Sequence, residues 1–279
     1  MSAEILKKIY YQSCCEELNV FKPGNHSVFS KILGMSENKF RYAAKLSSKL
    51  LTDKDLSFGE SVFHSAKRCK IELNSNYNLG IIMLCAPLIR VCLNGTTNFK
   101  SDLRILLKNI NDSDANFFVQ AIKFVKPAGI KNYKGVGNIL KKKTINFSKM
   151  MSVSSEWDRI SRCYNENYKE ILEFGLPKLT GLLKKTSRKK AIEILYIDFL
   201  ASSTDSHIQR KFGIGKAKIV LKKSIQVKKR INVFRKNQNL LLDFDNYLKK
   251  FHYNPGTCAD LTVTTLLIHK IRDIFKLPL

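Results

Sequence analysis

Cysteines spaced for metal or redox work are missing from this chain. Its seven cysteines, Cys14, Cys15, Cys69, Cys85, Cys92, Cys163 and Cys258, are odd in number and include no Cys-x-x-Cys pair. That argues against a disulfide framework or a zinc site and for a reducing compartment. Nor is there an apolar run of the roughly 20 residues that a bilayer crossing needs. The most apolar stretch, 79–93, is cut by Pro87 and Arg90. The opening "MSAEILKKIYYQ" sets acid and lysine where a secretion signal would be apolar. The expectation is a soluble, cytoplasmic protein with no membrane partner. Acid is scarce too: 23 Asp and Glu face 49 Lys and Arg, a net charge of +26. Such an excess attracts nucleic acid, anionic membranes or phosphorylated small molecules. The lysines are spread along the whole length, however, which reads as a solvated surface before it reads as a nucleic-acid footprint.

Strict two-residue alternation is also absent, so no exposed strand is expected, and neither a heptad register nor an internal repeat appears. Apolar residues recur instead at helical spacing. The pattern predicts helices over 2–18, 39–51 (after Ser36), 53–73 and from 79 onward. Others are expected over 99–109, 113–125, 154–174, 188–202, 206–234, 239–250 and 257–275. Asp112 and Ser113 suit N-capping of 113–125, and 126–140 reads as a loop. With 44% hydrophobic residues and no linker, the reading is all-α: a single compact multi-helix domain over 1–279, with functional loops at helix breaks. The basic stretch 216–236 reads as an amphipathic helix burying Ile219, Val220, Ile225, Val227, Ile231 and Val233. The alternative is an RNA-binding helix.

Familiar catalytic signatures are lacking. "GIGK" at 213–216 has neither the first glycine nor the final Ser/Thr of a phosphate loop, and reads as a glycine stop between helices. The five histidines make no zinc spacing, and no nucleophile elbow occurs. What is present is polar punctuation at helix breaks: "KPGNHS" (22–27), "NSNYN" (74–78), Asp158-Arg159, "DSHIQRK" (205–211) and "NPGTCAD" (254–260). Two of these hold Pro-Gly turns near opposite ends of the chain, and one reading is that the ends meet to build one site. Asp205 is either an N-cap or a functional carboxylate. Thr257 with Asp260 three residues on could form a capping box; the same helix start offers spare N–H groups to a phosphate.

Taken in order, these clusters resemble the triphosphoribosyl-dephospho-CoA synthase family. The segments are "KPGNHS", "NSNYNLGIIMLCAPL" (74–88), "AIKFVKPAGI" (121–130), "SSEWDRISRCYNENYKEI" (154–171), "DSHIQRKFG" (205–213) and "NPGTCADL" (254–261). The resemblance implies an all-α transferase that uses ATP and 3′-dephospho-CoA in making the prosthetic-group precursor of citrate lyase and malonate decarboxylase. In that reaction a ribose 2′-hydroxyl attacks C1′ of ATP, adenine leaves, and the triphosphate stays on the transferred ribose. A carboxylate should stand near the anomeric carbon, a base should take the hydroxyl proton, and cations including Mg²⁺ should hold the triphosphate.

By motif position the resemblance points to Asp205 and Asp260 as metal ligands or general base, the two roles being open. Lys22, Arg210 and Lys211 suit phosphates, with His207 beside them. Asn25, His26, Asn76, Asn78 and Asn254 suit ribose or base edges. Gly24, Gly80 and Gly256 would allow close backbone approach. Asp158 and Arg159 are either a structural pair or part of the site. Citrate lyase-associated members read Asn-Thr-His-Lys-Gly where this chain has Asn76-Tyr77-Asn78-Leu79-Gly80, and 131–137 carries Lys and Gly in place of an acid. The acceptor could therefore be a related nucleotide. Besides an RNA-binding protein, a nucleotide-binding member that has lost catalysis is the remaining alternative.

Overall fold

A computed structural model describes residues 1–130 and 146–278. Among these the chain forms fourteen α-helices and no strand, the all-α fold that the apolar spacing predicts. Two helices lie at the middle, and the first of them leaves no polar face. α4 (Leu79–Leu93) and α14 (Gly256–Phe275) are buried along almost their whole length and pack on each other. A helix apolar on all sides must be enclosed. Around them stand α1 (Ala3–Leu18), α2 (Glu37–Leu51), α3 (Phe58–Leu73) and α10 (Arg188–Ser202), and the buried side chains join into one core.

Pro87 lies inside α4 rather than ending it. Proline has no N–H, so the carbonyl one turn back loses its helical donor. That carbonyl belongs to Met83, and the Tyr164 hydroxyl donates to it at 2.5 Å. The Tyr168 hydroxyl donates to the next one, Leu84 O, at 2.9 Å. Two buried tyrosines from a distant segment thus satisfy the backbone around the proline, and they fix that segment against α4.

Several boundaries differ from the expected ones. The stretch expected as one helix over 154–174 is divided. α7 (Phe147–Ser154) ends where Asp158 caps a new helix, α8 (Arg159–Asn165). Positive φ at Asn167 and Tyr168 then breaks the chain before a π-helical segment, Glu170–Gly175. α9 (Leu176–Leu183) was not anticipated. α3 starts five residues late, where Ser57 and Glu60 form a capping box. Asn111, not Asp112 or Ser113, caps α6 (Asp112–Val125). Gly213, at φ +83°, separates α11 (Ser206–Phe212) from α12 (Ile214–Arg230). α12 buries Ala217, Val220, Ser224 and Val227, whereas Ile219 and Ile225, expected inside, face outward. The remaining helices are α5 (Phe99–Lys108) and α13 (Gln238–Lys250). The expected loop at 126–140 is non-helical through 130; its remainder, with the departure at 131–137, lies outside the described residues.

Candidate active site

Four helix N-termini converge beside the α4–α14 pair. Ser206, first residue of α11, accepts a hydrogen bond through its hydroxyl from the backbone N–H of Arg159, first residue of α8, at 2.8 Å. Asp205 caps α11 by accepting from Ile208 N at 3.1 Å, and its second oxygen accepts from Cys258 N of α14 at 2.9 Å. Asp158 caps α8 through Ile160 N at 3.0 Å and meets Arg210 of α11 at 3.3 Å.

The chain ends meet as the paired Pro-Gly turns imply. Gly24, at φ +75°, sits so close to α13 that a β-carbon would fall 2.8 Å from Leu248 Cβ and from Tyr253 O. Its N–H donates to Asp245 at 2.7 Å, Tyr196 donates to Pro23 O at 2.8 Å, and Asn25 donates to Asn254 at 2.8 Å.

Asp260, one turn into α14, occupies a place made for it by Gly80. A β-carbon on Gly80 would stand 2.0 Å from Asp260 Oδ2. The carboxylate therefore lies over the first turn of α4, where only glycine leaves room. No capping box restrains it: α14 begins at Gly256 with Pro255 before it, and Asp205 from another helix reaches its start instead. Among the described residues no donor hydrogen-bonds to the Asp260 carboxylate. Burial, then the charges of Glu17 and Asp205, pushes its pKa well above the usual range, while Arg210 and Lys22 pull the other way.

Asp260 lines a cavity of about 210 Å³ together with Asn76, Gly80, Asp158, His207 and Arg210. Six of the residues suggested by the motifs are thus brought to one wall. Burial lowers the pKa of His207, outweighing the nearby Asp205, so the ring is neutral at neutral pH. Asn76 accepts from the backbone N–H of Leu79, the first residue of α4, at 3.3 Å.

The others stand elsewhere. Asp205 does not line the cavity: it is 2% exposed and both its oxygens hold backbone amides. Lys22, expected to meet phosphate, is buried behind Asp260 and bonded to Glu17 and to Asn25. Lys211 is exposed, with its ammonium over Phe212. Arg159 is a core residue, bonded to Glu170, Phe199 O at 3.0 Å and Ser202 at 3.1 Å. Asn78 donates to Ser47 at 3.0 Å. His26 stacks on Phe40 and accepts from Ile32 N at 3.2 Å. Gly256 faces His207, whose Nδ1 would be 2.8 Å from an added β-carbon. Of the three expected phosphate cations, only Arg210 reaches the cavity.

Glu17 was missed, although a carboxylate on the apolar stripe of α1 (Leu6, Ile9, Tyr10, Cys14, Leu18) was a readable signal. Among the described residues no three His, Cys, Asp or Glu side chains gather to hold a metal. Asp260 offers one carboxylate, so Mg²⁺ fits here only as an ion shared with a substrate polyphosphate.

The family described as ATP:dephospho-CoA triphosphoribosyl transferase (CitG) matches residues 3–278. No curated protein matches the sequence. A crystal structure from Archaeoglobus fulgidus, provisionally described as a triphosphoribosyl-dephospho-CoA synthase, is similar in fold. Its TM-score is 0.64 at 23% identity, over 83% of this chain and 97% of that one. With the family's pattern running through nearly every residue, this chain belongs to the ATP:dephospho-CoA triphosphoribosyl transferase family.

Proposed function

We propose that the protein transfers the 5-triphosphoribosyl group of ATP to the 2′-hydroxyl of 3′-dephospho-CoA, or of a related nucleotide, and releases adenine. Family membership supplies the substrate class. The observation that carries the reading is the Asp260 carboxylate, held over Gly80 at the cavity wall with no hydrogen-bond donor upon it among the described residues. A half-buried carboxylate whose pKa is raised is a stronger base than an ordinary one.

In this reading the acceptor oxygen bonds to C1′ as the bond to adenine breaks, and adenine departs with that electron pair and takes up a proton from water, which the acceptor's own proton restores to solvent once Asp260 releases it. The ionised Asp260 steadies the positive character as it builds at C1′ and then takes the hydroxyl proton as the new bond closes. Arg210, oriented by Asp158, faces the anionic triphosphate. Neutral His207 is a hydrogen-bonding group for ribose or base. Mg²⁺ would arrive with the triphosphate and neutralise part of its charge. Asp205 holds α11 and α14 in register so that Asp260 keeps its place.

Incubation with ATP, Mg²⁺ and dephospho-CoA, followed by chromatography for free adenine, tests the proposal. Adenine should appear with wild type and not with Asp260→Asn. Absence of adenine with every nucleotide acceptor tried would reject it.

A further inference from the structure

The cavity's lining has a polar part and an apolar part. Asp260, Asp158, Arg210 and His207 make up the polar part. The other is walled by Met83, Phe118, Ile122, Met150, Met151 and Trp157, contributed by α4, α6, α7 and the turn after it. Met83 follows Gly80 by three residues of α4, so this apolar lobe begins about 4.5 Å along the helix from the carboxylate. We propose that the lobe is the seat of the departing base of the ribosyl donor. The inference rests on the reaction given above and adds to it the place of one substrate part.

Geometry leaves the base few other places. It is bonded to the very carbon that Asp260 serves, so it must lie within one bond of that point. The buried Glu17–Lys22 pair, whose charges act on Asp260, lies outside the cavity lining. Beside it stands the Asp158–Arg210 pair, whose cation suits the triphosphate. Among the described residues, the apolar surface that lines the cavity and suits a base is the lobe. A purine presents two flat π faces, which aromatic rings and thioethers contact favourably. Burying that surface before the bond breaks also excludes water from C1′, as transfer to an alcohol in preference to hydrolysis requires.

Trp157 is the chain's single tryptophan, so its fluorescence reports on this lobe without labelling. The test titrates wild type separately with adenine, with inorganic tripolyphosphate and with pantetheine. Adenine should quench Trp157 and be displaced by ATP, while tripolyphosphate and pantetheine leave the emission unchanged. Ile122→Phe and, independently, Val153→Phe add bulk to half-buried walls of the lobe. Each folded variant, checked by circular dichroism, should weaken adenine at least about tenfold without altering tripolyphosphate binding by calorimetry. The inference is overturned if adenine does not quench, if pantetheine quenches in its place, or if a folded filling variant binds adenine normally. Those readouts are separate from turnover. Adenine binding in the lobe with no adenine released from ATP would reject the reaction and keep the subsite; release without binding there would do the reverse.

Discussion

Gly80 and Asp260 illustrate how one missing side chain can create a functional group's position. Gly80→Ala would drive a β-carbon into the carboxylate, which must swing away. Alanine favours the helix by about 1 kcal/mol over glycine, so the melting temperature should change little while kcat falls at least about a hundredfold. A thermal melt and the adenine assay on the same preparation check this. Asp260→Asn should behave differently. The native carboxyl holds its proton more tightly than the unfolded one, because burial and then Glu17 and Asp205 raise its pKa. Its stabilising effect is complete below the unfolded value of about 3.9 and lost as pH rises through the native value. The asparagine variant should therefore melt higher than wild type at pH 7, lose that advantage near pH 3.5, and turn over no substrate. Asp205→Ala should instead be destabilised by about 2–4 kcal/mol, having lost a cap and left a buried amide unpaired. Denaturant unfolding would show it.

At the scale of elements, the proline in α4 ties the core to the site. Tyr164 and Tyr168 donate to the carbonyls near Pro87, and the segment they anchor is the end of α8 and the turn after it, α8 being capped by Asp158. Tyr164→Phe should cost about 1–3 kcal/mol, since Met83 O is then buried with no donor. In a Pro87→Ala background the helix supplies its own N–H, so the same change should cost less. A double-mutant cycle measures that difference. Helix type was readable in most of these segments, because apolar spacing is a local property. Where helices stop was less readable. The break after Asn165 depends on positive-φ residues and on tyrosines meeting α4 from far along the chain. Likewise Ile219 and Ile225 continue the apolar pattern of α12, yet the core meets only its Ala217–Val220–Ser224–Val227 face.

Across the whole molecule, the +26 charge should gather polyphosphorylated substrates by long-range attraction. The KM for ATP should then rise as salt is added, because exposed charges are screened beyond about 10 Å at 0.1 M. Replacing Lys218, Lys222 and Lys229 on the outer face of α12 with Gln should leave kcat within about twofold. Were that helix an RNA contact, RNA affinity would fall steeply with salt and vanish in the triple variant while Asp260 proved dispensable. Gel-shift titrations at two salt concentrations decide between the two. No helix among the described residues is long and apolar enough to cross a membrane.

By itself the sequence determined the helices, the Pro-Gly turns at both ends, and a set of polar clusters whose order marks the family. Those are properties of neighbouring residues and of short spacings. Only the tertiary structure decided which clusters face a common space. It turned Asp205 and Lys22 inward as supports, left Arg210 as the cavity's cation among the described residues, and freed Asp260 from the capping box its neighbours offered. The physical reason is that a carboxylate's role depends on who donates to it. For Asp205 the donors are amides of two helices far apart in sequence; for Asp260 the space comes from a glycine 180 residues earlier.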